Sequence, residues 1–304
     1  MQHKSLVQKL KHPEHVVAAI CRKLYFLFPG DCFYLKLIYY LEMGKKLRLK
    51  NPKAFSEKLQ WLKLYDRNPE YTKMVDKISV KRYVASMIGE KYIIPTLGVW
   101  DKVENIEWKT LPDKFVIKAS NGGGGGGVFV CKDKSVLDIK SVSQKLNFAL
   151  KSNIYQQYRE WPYKNVKPRI IAEECLECES EMGLKDYKVF CCNGEPKLIK
   201  VNYDVETDYK SNWYTPLWEY MKGTTINDPS HEEIQIEKPQ LLDELLDRAR
   251  VLSKNIPFVR VDFYILPEGL KFGELTFYPG SGFEKFDPES FDEEIGSWID
   301  LSKI

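Results

Sequence analysis

The stretch VRVDFYILPEGLKFGELTF, residues 259–277, alternates apolar and polar residues on both sides of Pro267-Glu268-Gly269. Alternating runs around a glycine-containing turn predict a β-hairpin. A three-residue turn centred on Glu268 sets Asp262 opposite Glu274 and Arg260 opposite Thr276. Strand side chains alternate faces, so Arg260, Asp262, Glu274 and Thr276 share one face. Val259, Val261, Leu275 and Phe277 take the other, the core face. A bulge would slip this register by one. Two carboxylates opposed on a sheet repel each other. A cation between them removes the repulsion, and Mg²⁺ accepts one or two carboxylates plus substrate phosphates. An exposed pair softened by Arg260 and water is the alternative.

Outward from this hairpin, Asn193-Gly194 signals a second one, with Asp186, Lys188 and Phe190 on one face of its first strand. Lys188 is thereby a candidate cation for a phosphate or, alternatively, a surface lysine. Further upstream, Phe115-Val-Ile-Lys118 leads through Asn121 into the glycine tract Gly122–Gly127 and out into Val128-Phe-Val-Cys131. The tract satisfies a dinucleotide-binding pattern trivially. That pattern and the P-loop must open a helix, whereas this tract lies between two strands. A loop without side chains lets backbone N–H groups close over phosphate oxygens. Lys118 stands at its entrance, so Gly123, Gly124, Gly125 and Gly126 are expected as a phosphate lid; a flexible hairpin tip is the bland alternative.

The chain has 304 residues, enough for about two lobes. Its formal charge is only +3, which implies no polyanion for the whole chain and no nucleic-acid partner. The charge is uneven: residues 1–60 hold twelve Lys/Arg against four Asp/Glu, and residues 284–304 hold two against seven. The basic amino end is compatible with peripheral contact to an anionic surface, or with a solvated helix face. No basic-then-apolar leader opens the sequence, and Leu24–Met43 is interrupted by Pro29, Gly30, Asp31 and Lys36. A cytoplasmic protein is therefore expected, at most peripheral to the inner face of the membrane. The seven cysteines read as reduced thiols. Cys175, Cys178, Cys191 and Cys192 make a poor zinc quartet, because strand neighbours such as the last two point to opposite faces. With only His3, His12, His15 and His231 present, chemistry through a histidine base is poorly supported.

Residues 1–75 read as helical, with FSEKLQWLKLY (55–65) at helical spacing; a further helix from Lys77 closes at Gly89. A segment at 140–152 is helix-like and RIIAEECLE (169–177) strand-like. The expected division is a helical region over 1–75, a lobe with the glycine loop over 76–175 and a lobe with the metal site over 176–304. The whole is a mixed α/β (α+β) chain with strong antiparallel hairpin signals.

In this order the elements resemble the ATP-grasp superfamily. VIKASNGGGGG is similar to its lysine-then-glycine loop, and Arg260-x-Asp262 with Gly273–Gly280 to its metal-binding end. NPKAFSEKLQWLKLYDRNPEYTKMVDK, REWPYKNVKPRIIAEECLE, LKDYKVFCCNGEPK and FVRVDFY…FGELTFYPGSGFEKF resemble the TupA-like ATP-grasp family across residues 50–300. The resemblance implies two lobes gripping ATP behind a mainly helical N-terminal region, with ATP and Mg²⁺ as cofactors. By position, Lys77 and Lys118 would hold ATP phosphates, Glu173, Glu174, Cys175 and Leu176 would form the adenine-contacting hinge, and Asp186 would meet the ribose. Asp262 and Glu274 would bind Mg²⁺, and Arg260 would stabilise developing negative charge, with Lys188 beside it. Thr276 stands where the family pattern has a third metal ligand, Asn.

The activity so implied is a carboxylate–amine ligase working through an acylphosphate. It would attach an amino acid to a uronic acid of a bacterial cell-surface polysaccharide, teichuronopeptide or capsule type, or to its lipid-linked precursor. Its partners would be small-molecule amine and carboxylate substrates and a polysaccharide or lipid-linked acceptor. A kinase on the same fold, a glycosyltransferase (the label often given to such proteins) and a non-catalytic ATP-binding scaffold are the competing readings. Tyr155, Tyr158, Arg159 and Trp161 read as a sugar-stacking stretch or as a packed junction between lobes.

Overall fold

The computed structural model describes residues 13–28, 30–122, 127–177, 182–203, 209–226 and 234–303. Among these, the α-helices are α1 (Pro13–Lys23), α2 (Asp31–Met43), α3 (Phe55–Tyr65), α4 (Glu70–Val75), α5 (Ser79–Ile88), α6 (Ile139–Leu150), α7 (Ile154–Tyr158), α8 (Leu242–Ser253) and α9 (Ser290–Ser297). No described helix is long and apolar enough to cross a membrane.

Strands β1 (Thr96–Trp100), β2 (Phe115–Ala119), β3 (Val128–Cys131) and β4 (Ile170–Glu174) build an antiparallel sheet in the order β1-β4-β2-β3. Phe115, Ile117, Ile170 and Ala172 bury one face with Val142 and Leu146 of α6. Period-two alternation sends Val116, Lys118, Ile171 and Glu173 to the other face. The strand–glycine–strand hairpin is present, with Lys118 paired to Val128. Gly127 serves packing: a Cβ there would lie 2.7 Å from that of Ala149 on α6.

The second sheet holds β5 (Asp186–Cys192), β6 (Glu195–Tyr203), β7 (Lys210–Tyr214), β9 (Phe258–Leu266) and β10 (Gly269–Thr276), in the order β10-β9-β5-β6-β7, all antiparallel. Between β7 and β9 in sequence lies β8 (Thr225–Ile226), which pairs with β11 (Phe286–Asp287). Asn193 and Gly194 both take positive φ, the two-residue turn that matches strand twist.

Both faces of this sheet are covered. Val259, Val261, Val189 and Ile199 share a core with Leu245, Ala249 and Leu252 of α8. On the opposite face Phe190 and Phe258 meet Phe55 of α3, the last at 4.7 Å between ring centroids. Phe190 thus continues the row of Asp186 and Lys188 into an aromatic core, and only the far end of that face is polar.

Helices α3, α4 and α5, expected partly in an N-terminal region and partly in the first lobe, bury Phe55, Leu59, Tyr71, Met74, Val80 and Val84 in the large-sheet core. Amphipathic helices go where apolar area is offered, and a five-stranded sheet offers more than the small lobe. The junction of α3 with α9 is tight: Asp292 accepts from Ser56 N at 2.8 Å and Ser56 Oγ at 2.7 Å, and a Cβ on Gly296 would lie 2.1 Å from the Lys53 carbonyl. Gly296→Ala is expected to destabilise the fold by about 1–3 kcal/mol in urea unfolding; an unchanged midpoint would contradict this packing.

Candidate active site

The predicted opposition is present: Glu274 faces Asp262 and Thr276 faces Arg260. The route to it is not the predicted one. The turn holds only Pro267-Glu268, since Gly269 already pairs with Leu266, and near the turn the register is one residue off. A bulge between Phe272 and Glu274 restores it. Gly273 permits the bulge, because a Cβ there would lie 3.1 Å from the Asp262 carbonyl and 3.2 Å from the Tyr264 ring.

Arg260 forks across the carboxylates. Its Nε and Nη2 donate to the two Asp262 oxygens at 2.7 and 2.6 Å, and Nη2 donates to Glu274 at 3.0 Å and to Thr276 Oγ1 at 3.1 Å. Lys188 Nζ adds a bond to Asp262 at 2.7 Å and an ion pair with Asp186 at 2.5 Å. Lys77 approaches Glu274 at 3.5 Å. Asp262 is buried at 2% exposure, while the Glu274 side chain remains 42% exposed. Partial desolvation works against ionisation of Glu274, but Lys77, Arg260 and Lys188 outweigh it and hold its carboxyl far below the usual range. Burial pushes Asp186 up, against the pull of Lys188. Burial would lower Lys188, yet Asp262 and Asp186 raise it above an ordinary lysine. Lys188, Arg260 and Glu274 are thereby held in their charged forms.

A narrow cleft opens beside Glu274. The small sheet contributes Lys118 and Glu173 to its walls, the entry to α5 contributes Lys77 and Lys81, and Val80, Ile93, Ile94 and Leu275 supply apolar surface. Lys118 and Lys81 both pair with Glu173, which is 4% exposed. Burial raises the Glu173 carboxyl, but the two lysines prevail and keep it ionised. The cleft therefore has a cationic side and an apolar side, the two requirements of a nucleotide polyphosphate.

Lys77, Lys118, Glu173 and Glu274 meet in this cleft; Lys188, Arg260, Asp262, Asp186 and Thr276 join them through Glu274 and Asp262. Glu174, Cys175 and Leu176 continue past the end of the Lys118 face and are not among the cleft walls. Glu173 presents its side chain to lysines. Gly123–Gly126, Cys178, His3, His12 and His231 lie outside the described residues. Lys81 escaped the sequence reading, although its place four residues after Lys77 was an available signal.

Asp262, Glu274 and Thr276 form an all-oxygen donor set, which suits Mg²⁺. Among the described residues no three His, Cys, Asp or Glu gather into a metal cluster, so such an ion would draw its other ligands from phosphate and water. Thr276 Oγ1 is already engaged, donating to Glu274 at 3.0 Å. Asp186 Oδ1 and Asn202 Oδ1, on paired residues beside the cluster, are buried with no hydrogen-bond partner, so unclaimed acceptors face the site.

Sequence reading also missed the support beneath the hairpin exit. Lys63 on α3 is 1% exposed and donates to the Ser281 carbonyl at 2.7 Å and to Gln60 Oε1 at 2.9 Å. Ser281, in the left-handed region at φ 56°, donates its hydroxyl to buried Glu160 at 2.6 Å. Burial drives Lys63 down to about 7 and Glu160 up to about 7, each partly countered by the other's charge. Arg159 is also buried, stacked 4.3 Å over Tyr34 and donating to the Phe28 carbonyl at 2.8 Å. The aromatic stretch at 155–161 is thus a packed junction that ties the N-terminal helices to the site.

The sequence matches the family described as TupA-like ATPgrasp over residues 57–300. No curated protein matches it. Among solved structures it is similar to a D-alanine–D-alanine ligase from Helicobacter pylori (16% identity, TM-score 0.41, 81% of this chain and 69% of that one). A D-alanine–D-alanine ligase from Bacillus anthracis complexed with ATP is similar at 13% identity and TM-score 0.41, over 74% of this chain and 63% of that one. A RimK domain ATP-grasp protein from Sphaerobacter thermophilus follows at 10% identity and TM-score 0.40, over 75% and 69%. The chain spans about 57–69% of the length of the first three such structures.

Lys63→Met leaves Glu160 buried without its cation and is expected to cost about 3–5 kcal/mol of stability. The double variant Lys63→Met/Glu160→Gln should recover more than half of that in a denaturant double-mutant cycle; additive losses would show the two groups to be independent.

Proposed function

Because the chain belongs to the TupA-like ATP-grasp family, we propose that it is an ATP-dependent carboxylate–amine ligase. Its two lobes have the ATP-grasp fold. The observation that carries the reading is the convergence of Lys77, Lys81 and Lys118 on a half-apolar cleft that ends at the Arg260–Asp262–Glu274 cluster. The fixed charges are arranged for a polyphosphate at one end and for developing negative charge at the other.

In this reading Lys118 and Lys77 exchange their carboxylate partners for phosphate oxygens when nucleotide enters. The apolar wall from Val80, Ile93, Ile94 and Leu275 takes the base. Glu274, the more exposed of the opposed carboxylates, and Asp262 would hold Mg²⁺, which neutralises phosphate charge when bound. Arg260 stays on both carboxylates and keeps them oriented. Carboxylate oxygen of the substrate attacks the γ-phosphorus and ADP leaves, giving an acylphosphate. The amine nitrogen then attacks the acyl carbon, phosphate leaves, an amide forms and the nitrogen gives up a proton. Positioning and electrostatics supply the catalysis, in keeping with a site devoid of histidine among the described residues.

We infer that the carboxylate belongs to a uronic acid of a bacterial cell-surface polysaccharide or its precursor and that the amine is an amino acid. The support for this acceptor is the family kinship alone. A cytoplasmic site of action is supported by the six free cysteines among the described residues, which suit a reducing compartment.

The test is ADP release from Mg-ATP with a panel of uronic acids and amino acids, with hydroxylamine as acylphosphate trap. ADP together with a hydroxamate is expected, and Lys118→Ala should lower kcat/KM by about a hundredfold or more. ADP with a stable phosphorylated sugar and no hydroxamate would replace the ligase by a kinase. Sugar transfer without ADP would replace it by a glycosyltransferase.

A further inference from the structure

Helix α1 is amphipathic the wrong way round. Two of its polar side chains turn to the protein: His15 bonds Glu42 of α2 at 2.8 Å, and Arg22 pairs with the same carboxylate and lies 5.5 Å from the centre of the Tyr158 ring. Its apolar side faces outward, with Val16, Val17, Ile20 and Leu24 between 39% and 51% exposed. The following turn extends this surface with Phe26 at 65% and Leu27 at 61% exposure. A surface helix ordinarily buries that stripe, and a contiguous apolar face left in water marks a contact site.

The charge around it points to one kind of partner. Three acidic groups of this region are turned inward, Asp31 onto Arg67 and Arg159, Glu42 onto Arg22 and Glu57 onto Arg48, while Glu289 and Glu293 at the start of α9 stay exposed beside Lys45 and Arg48. Lys23, Lys36, Lys46, Lys50 and Lys53 remain exposed. Phe28 stacks on exposed Phe33 at 6.4 Å, and Lys36 follows one turn later on the same face of α2. Lys36, Lys50 and Lys53 then line a hollow whose apolar walls are Leu47 and Leu49. Aliphatic and aromatic side chains ringed by exposed lysines match a lipid interface with anionic headgroups. A soluble polyanion would have no use for the apolar stripe, and a second copy would bring cationic surface against cationic surface.

We propose that α1, the 25–27 turn and the outer face of α2 dock the enzyme on an anionic membrane surface, the apolar side chains entering the interface and the lysines meeting headgroup phosphates. The nucleotide cleft draws none of its walls from residues before Met74, so docking leaves it open. The step catalysed could then act on an acceptor held at that surface.

The test is co-sedimentation of the full chain with phosphatidylcholine vesicles, with and without about 30% phosphatidylglycerol. Binding to the anionic vesicles should exceed binding to neutral ones at least about tenfold and weaken in high salt. Ile20→Glu/Phe26→Glu, both exposed positions, should abolish it while leaving the circular dichroism spectrum unchanged. Phe26→Trp should gain an indole emission that moves to the blue on anionic vesicles, a readout independent of the double variant's folding. Wild-type protein remaining in the supernatant with anionic vesicles would overturn the proposal. So would an unshifted emission from the Phe26→Trp variant, or a vesicle-free dimer that the double variant converts to monomer.

Discussion

Asp262 and Glu274 oppose each other across two hydrogen-bonded strands, and like charges so placed repel unless something positive lies on them. Arg260, two residues from Asp262 on the same strand, supplies the first positive charge and Lys188 of the neighbouring strand the second. Much of the site follows from that need. Arg260 and Lys188 cannot leave without exposing two buried or half-buried carboxylates to each other. Glu274 cannot be protonated cheaply while Lys77, Lys188 and Arg260 hold it ionised. An ionic plate of this kind is preorganised for charge that arrives with a substrate, because its dipoles need little reorientation when that charge appears.

The surrounding fold serves to hold this plate at the rim of a cleft. The large sheet is apolar on the side of α8 and aromatic over half of the other side, so the ionic cluster is confined to one end of one face. The small sheet hides one face under α6 and turns Lys118 and Glu173 toward the cluster. Buried Lys63 and Glu160 bond the carbonyl and the hydroxyl of Ser281 and fix the chain as it leaves β10. Burying two such charges is costly, and a local structural purpose is the natural reason to retain them.

Periodicity made the local elements legible. FSEKLQWLKLY reads as the helix it is, and Asn193-Gly194 as the turn it is, because these signals are local. The facing of Asp262 and Glu274 was also legible, but through two compensating departures: a turn one residue shorter than expected and a bulge at Gly273. Placement across long sequence distances was not legible. A lysine at position 63 of an amphipathic helix reads as solvated; only the contact with residues 278–283, far along the chain, buries it. For the same reason the packing of α3–α5 on the large sheet is not readable from the sequence. Asn-to-Thr at position 276 was visible in sequence, yet only the structure gives the hydroxyl its present task, a bond to Glu274.

Under the proposed function the opposed carboxylates would hold a metal-bound polyphosphate, and calorimetric titration with ATP tests this most directly. In the wild-type protein Mg²⁺ should tighten ATP binding by at least about tenfold, equivalent to about 1.4 kcal/mol. Glu274→Gln should erase that Mg²⁺ dependence while Lys118 still binds the phosphates. Equal Mg²⁺ dependence in the two proteins would contradict the account and leave the pair a structural ionic cluster.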